Sequence, residues 1–220
     1  MSQPIMEFTF HGFKFYFKET NSAPELLKEI FSDNYKVIDL KFNQGDVILD
    51  LGANEGFFSI MMGKLFPHTR IFSLEPVPRT FYQMVRNIGL NGITNITPLN
   101  IGVGKRGMVS MVVSKLFSGG SSACCAYNNN DHDLVEVDVY PLSDILSITG
   151  IERVRLLKID IEGMEHEVLM GSDLSMVDTL VGEFHINNRL ARQGYSIEGL
   201  AKEVANKTRL HHYEPCRMAE

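Results

Sequence analysis

Residues 47–56 read VILDLGANEG and run directly into FFSIMMGKLF. The first five residues are almost all apolar, as a strand buried on both faces must be. Gly52 and Gly56 then punctuate a short turn, and the following stretch reads as a helix. A buried strand that turns sharply into a helix fits a parallel sheet, because parallel neighbours can be joined only by a crossover. The same alternation returns along the chain. RIFSLEP (70–76) reads as a strand, RTFYQMVRNIGLNG (79–92) as a helix and NITPLNIGVG (95–104) as a third strand. VRLLKIDIEG (154–163) is a fourth strand, HEVLMGSD (166–173) a helix and DTLVGEFHI (178–186) a fifth strand. Repeated units of this kind predict an α/β fold with a mostly parallel sheet and helices on both faces.

Two regions depart from the alternation. Near the start, Phe8, Phe10, Phe13, Phe15 and Phe17 fall on two alternating runs broken by His11-Gly12, the pattern of a β-hairpin. Ser22-Ala-Pro-Glu25 follows as a helix start, with an apolar face at Leu26, Leu27, Ile30 and Phe31. Later, GMVSMVVS (107–114) and LVEVDVYPLSDIL (134–146) read as added β structure around a soft loop at 118–133. The phenylalanines are expected in the core; the hairpin and the 118–133 loop are candidates for a lid over a substrate. A length of 220 residues suits one domain over 1–220, with the hairpin and helix in 1–33 and the core in 34–220.

The formal net charge of -6 weighs against a nucleic-acid partner, which usually meets a basic stripe. No run of 18 apolar residues suggests a membrane span, and no basic segment followed by an apolar run marks a secretory leader. The three cysteines, Cys124, Cys125 and Cys216, form no disulfide framework, which fits a reducing, cytoplasmic setting.

Ligands of doubly wound sheets bind beyond the carboxyl ends of the strands, so residues just after strands carry the functional weight. Gly52 can adopt dihedral angles closed to other residues and admits a ligand to the backbone. Gly56 opens a helix whose free N–H groups favour a carboxylate. Asp50, at the strand end, can receive an ammonium group. A ligand with both groups is an amino acid, and the methionine end of S-adenosylmethionine has both. The competing dinucleotide pattern, G-x-G-x-x-G, wants a glycine where Asn54 stands; that glycine serves a pyrophosphate, which S-adenosylmethionine lacks. Glu75-Pro76 ends the next strand roughly 20 residues on, where an acid binds ribose hydroxyls. The run Lys158-Ile-Asp160-Ile-Glu162-Gly163-Met-Glu165 brings acids to another strand end. Glu183 and His185 share one side of the fifth strand, and His185 is a candidate general base near neutral pH. Asp160, Glu162, Glu183 and His185 could also gather around a metal, but no compact ligand spacing supports that, and none is expected.

Together these strings resemble the FkbM-type methyltransferases, from about Asn34 to about His185. The resemblance rests on VILDLGANEGFFSI, SLEPVPRTF, LNIGVG, LKIDIEGMEHEVLMG and EFHI. It implies a Rossmann-like, class I methyltransferase sheet with an N-terminal hairpin-and-helix addition, and transfer of a methyl group to a hydroxyl oxygen of a small molecule or sugar. By position, Asp50, Gly52, Ala53, Asn54, Gly56, Glu75 and Pro76 would hold S-adenosylmethionine, with Asn100 and Ile101 near its adenine. Asp160 would sit beside the methyl group, and His185 or Asp160 would take the acceptor's proton. Only Thr208 to Tyr213 is expected to supply further strand, which would abbreviate the sheet. Methylation of a macromolecule, and a Rossmann-like nucleotide-binding module or dehydrogenase, stand as the other readings.

Overall fold

The computed structural model describes residues 5–18, 23–114 and 132–218. The chain begins with a hairpin of β1 (Ile5–Phe10) and β2 (Phe13–Lys18), then α1 (Ala23–Phe31). It alternates through β3 (Val47–Leu51), α2 (Phe57–Leu65), β4 (Arg70–Leu74), α3 (Pro78–Leu90) and β5 (Ile96–Leu99). Next come β6 (Gly102–Val103), β7 (Gly107–Ser114), β8 (His132–Tyr140) and α4 (Leu142–Thr149). The alternation then resumes with β9 (Leu156–Ile159), α5 (Glu165–Gly171), β10 (Thr179–Ile186), α6 (Asn188–Arg192), α7 (Ile197–Lys207) and β11 (Arg209–Arg217).

Six strands form the main sheet in the order β11-β10-β9-β3-β4-β5, and every pairing in it is parallel. From β3 the chain winds outward through β4 and β5, returns to β9 on the other side of β3, and winds outward again. The direction reverses between β3 and β9, and there the crevice for a ligand opens. The two faces of the sheet carry separate cores. Val47, Leu49 and Leu51 of β3 pack with residues of α4, α5 and α7. Ile48 points the other way, into a core shared with Leu27 of α1, residues of α2, and Met84 and Ile88 of α3. Alternate residues of one strand therefore feed opposite layers, which is why β3 is apolar throughout. Among the described residues no helix is long and apolar enough to cross a membrane.

Three features differ from the sequence expectation. The segment LVEVDVYPLSDIL splits: β8 ends at Tyr140, and Leu142 onward is helix. Pro141 cannot donate to a sheet ladder, and Leu142, Ile145 and Leu146 then recur at helical spacing and are buried. NITPLNIGVG is broken after Leu99, because β6 pairs with β8 in a separate three-stranded sheet. The last strand is longer than expected and runs to Arg217. The 118–133 loop, apart from its last two residues, lies outside the described residues, as do Cys124 and Cys125.

The hairpin, a candidate lid in the sequence reading, packs against α2 and α3. His11 and Gly12 have φ of 49° and 82°, the left-handed pair of a two-residue hairpin turn. Phe15 is fully buried and meets Phe57 edge-on at 5.1 Å. The backbone of β2 is met by three amide side chains at spacings of four, two from α3 and one from Asn91, which caps its end. Gln83 Nε2 donates to Tyr16 O, Asn87 Oδ1 accepts from Tyr16 N, and Asn91 both accepts from Lys14 N and donates to Lys14 O. Residues four apart lie on one helix stripe, so one edge of the hairpin is covered by a helix face.

Candidate active site

The turns after β3 and β9 meet at the switch point. Gly52 has φ 79°, and a Cβ there would lie 1.8 Å from the carbonyl oxygen of Asp160. Glycine is therefore required by the backbone of the neighbouring strand, not only by an approaching ligand. Each turn also holds one residue in the left-handed region that is not glycine: Asn54 at φ 51° and Glu162 at φ 54°. Such conformations cost of order 1–3 kcal/mol and cluster at functional sites.

Asp50 does not present its carboxylate to the cleft, as the sequence reading expected. It is fully buried, with Lys158 Nζ 3.3 Å from Oδ1 and Ser59 Oγ donating to Oδ2 at 2.6 Å. Ser59 in turn bonds Ser73 Oγ. Strand register explains the set, for Asp50 stands opposite Lys158 on β9 and Ser73 on β4. Lys158 also donates to the carbonyl of Gly52 at 2.8 Å, tying the turn down. Burial lowers the proton affinity of this amine, but Asp50, Asp160 and Glu183 more than offset that and raise it. Ala53 likewise turns inward: its side chain joins the core and its N–H donates to Leu74 O. Gly56 caps α2 with φ 86° and no side chain caps the first turn, so the helix start faces the cleft uncapped.

Glu75 is almost completely buried. Its Oε2 accepts from Asn54 N at 3.0 Å and its Oε1 from Val77 N at 2.9 Å, which links the two cofactor turns predicted from sequence. The Asn100 amide donates to the carbonyls of Glu75 and Pro76 and fixes that corner. Pro76 and Ile101 line an apolar cavity beside Gly52, closed by Val109, Met111 and Met164. Burial pushes Glu75 up to about 7 from 4.5, against the pull of its two backbone N–H donors. The folded chain therefore binds this proton more tightly than the unfolded chain, and stability falls as pH rises from about 4.5 to 7. Glu75→Gln should remove that loss, so that in urea denaturation the ligand-free variant exceeds the parent at pH 8 by up to about 3 kcal/mol and by little at pH 4.5. A difference that does not change with pH would show that the carboxyl is solvated.

The carboxyl ends of β9 and β10 gather the remaining ionisable groups. Tyr35, from the segment between α1 and β3, is buried, and its hydroxyl lies 3.3 Å from Asp160 Oδ2 and 3.2 Å from Glu183 Oε1. Burial, then the charges of Asp160 and Glu183, raise this phenol well above its usual range. Burial and Asp160 push Glu183 up to about 7. His185 is buried, with Nδ1 3.0 Å from Glu165 Oε1 and Nε2 3.7 Å from both Glu162 Oε2 and Glu183 Oε2. Burial alone would lower the imidazole, but Glu165, with Asp160 and Glu162, lifts it to about 10. An imidazole that already holds its proton is not a ready base, which moves the expectation for His185 toward its carboxylate neighbours. Lys158 and Tyr35 had no part in the sequence reading. A lysine inside an apolar strand was the available signal for the first; Tyr35 has no local signal.

Residues 50–209 match the family model of the Methyltransferase FkbM domain. The chain is 31% identical over 178 residues to Methyltransferase 1 of Beauveria bassiana (strain ARSEF 2860), covering 71% of each. It is 28% identical over 194 residues to the 31-O-demethyl-FK506 methyltransferase FkbM of Streptomyces tacrolimicus, covering 74% of this chain and 75% of that one. Among solved structures, a precorrin-6y C5,15-methyltransferase from Geobacter metallireducens GS-15 aligns with TM-score 0.47 and 15% identity, over 82% of this chain and 71% of that chain.

Proposed function

The chain belongs to the FkbM-domain methyltransferase family, and on that premise we propose that it transfers a methyl group from S-adenosylmethionine to a hydroxyl oxygen of a small molecule. The observation that carries this reading is the convergence of the 52–56 turn, Glu75 and the Asp160–Glu183 pair at one edge of the sheet. The polar groups there suit the cofactor. Asn54 Oδ1 is buried without a partner among the described residues, a condition that costs about 1–3 kcal/mol and that an ammonium group relieves. The uncapped start of α2 suits the methionine carboxylate. Each oxygen of Glu75 receives one backbone N–H and keeps a lone pair for a ribose hydroxyl. Pro76, Ile101 and Met164 offer an apolar slot for the adenine.

The bound cofactor supplies a methyl group already activated on sulfur; the protein supplies position and a base. Glu183 is the base in this reading. Burial and the neighbouring charge of Asp160 push Glu183 up to about 7, which suits a proton acceptor near neutral pH. Its Oε2 lies 3.7 Å from His185 Nε2. Its Oε1 shares the Tyr35 hydroxyl, which steadies the carboxylate while the acceptor's proton moves to it.

Calorimetric titration with S-adenosylmethionine, S-adenosylhomocysteine and NAD tests the cofactor, and heat with NAD alone overturns the reading. Glu75→Ala should weaken cofactor binding by about 1.5–3 kcal/mol, roughly 10- to 150-fold; unchanged affinity would remove Glu75 from the site. A methyl-transfer screen against a pool of hydroxylated metabolites, read as a mass gain of one methylene, tests the acceptor class.

A further inference from the structure

We propose that Asp160, Glu162 and His185 form a binding site for a divalent cation of the manganese class, at the carboxyl edge of β9 and β10. One ligand atom from each lies within 4.8 Å of the others. Donors held around a single ion at 2.0–2.3 Å are separated by about 3–4.6 Å, so small side-chain adjustments close the set.

The histidine supplies the independent observation. His185 is 3% exposed, and among the described residues only its Nδ1 has a hydrogen-bond partner. Nδ1 is held by Glu165, a fully buried carboxylate that is itself fixed by the N–H groups of Ile161 and Gly163. That arrangement locks the ring and is the usual support behind a metal-bound imidazole. Nε2 then points between Glu162 and Glu183, 3.7 Å from each, too far to bond either. Glu162 reaches this position from a left-handed backbone that a side chain other than glycine rarely adopts.

Charge argues the same way. Five carboxylates (Asp50, Asp160, Glu162, Glu165 and Glu183) face Lys158 and His185, and Lys158 is already committed to Asp50. A divalent ion among them would reduce the excess. Two carboxylate oxygens and one imidazole nitrogen suit a hard or borderline ion and leave positions open. Its chemical role rests on the methyl-transfer reading: an ion here would bind the acceptor hydroxyl and make its proton easier for Glu183 to remove. Its existence does not rest on that reading.

The test is titration of the full chain with Mn2+ alone, followed by calorimetry and by loss of the free-ion electron paramagnetic resonance signal. One ion per chain is expected, with affinity at least tenfold weaker in Glu162→Gln and Asp160→Asn and unchanged in Cys216→Ser. Mn2+ should also raise the melting temperature of the parent chain and not of Glu162→Gln, whose own melting curve reports whether it folds. No saturable binding, or equal binding by Glu162→Gln, overturns the site. Binding lost in Cys216→Ser also overturns it, in favour of the neighbouring Glu183–His185–Cys216 set. If Glu162→Gln instead weakens S-adenosylmethionine but not S-adenosylhomocysteine, while Mn2+ does not bind, the carboxylates face a sulfonium and no metal. Mn2+ binding without cofactor heat would keep the ion site and remove the methyl-transfer reading.

Discussion

Replacing Lys158 by methionine should destabilise the fold by about 3–5 kcal/mol, the cost of leaving a buried charge without its partner. The side chains of Lys158 and Asp50 are 5% and 0% exposed, so neither charge has water to fall back on. Asp50 would keep only the Ser59 hydroxyl, and the Gly52 carbonyl would lose its ammonium donor. The second half of the experiment is the double variant. With Asp50→Asn in the Lys158→Met background neither site of the pair carries a charge, and most of the loss should return, because the two sites act through one interaction. Urea denaturation of the four proteins measures this. A loss under about 1 kcal/mol in the single variant would show that the pair is hydrated and not structural.

Glu183→Gln should lower kcat by about 10²- to 10⁴-fold, the usual contribution of a positioned base, which is about 3–5 kcal/mol of barrier. The amide keeps the size of the side chain and can still accept from the Tyr35 hydroxyl, so the fold and the cofactor affinity should hold. The loss should appear in kcat and in kcat/KM alike, as for a contact made in the transition state. Activity within a fewfold of the parent would exclude Glu183 and return the role to Asp160. Tyr35→Phe gives a graded companion: it removes the hydroxyl that bridges the two carboxylates without touching either. Its effect should be smaller, because it frees the base rather than deleting it.

The elements whose pattern is local were legible in the chain. The apolar run of β3, the Gly52–Gly56 turn, the start of α2 and the His11-Gly12 hairpin each follow from side chains within a few residues of one another. Where a neighbouring segment decided the outcome, local reading failed. β5 stops at Leu99 because the next residues pair with β8, and LVEVDVY continues into a helix because Pro141 ends the ladder. The contacts that the Asp50, Ala53 and Asn100 side chains make within the chain were not legible in the sequence. Whether a strand-end carboxylate faces a ligand or a buried lysine depends on which strand lies alongside.

Periodicity, glycine position and the spacing from Gly56 to Glu75 sufficed for the parallel sheet, its carboxyl edge and the turn from β3 into α2, since those depend on backbone geometry over short stretches. Strand order settled the rest. By inserting β9 beside β3 it set Lys158 against Asp50 and the Asp160 carbonyl against Gly52. By packing Tyr35 under β9 and β10 it joined residues 125 and 148 positions apart. No local preference encodes such a meeting. It arises only when both faces of the sheet are buried and the charged groups left at its edge must find partners or a ligand.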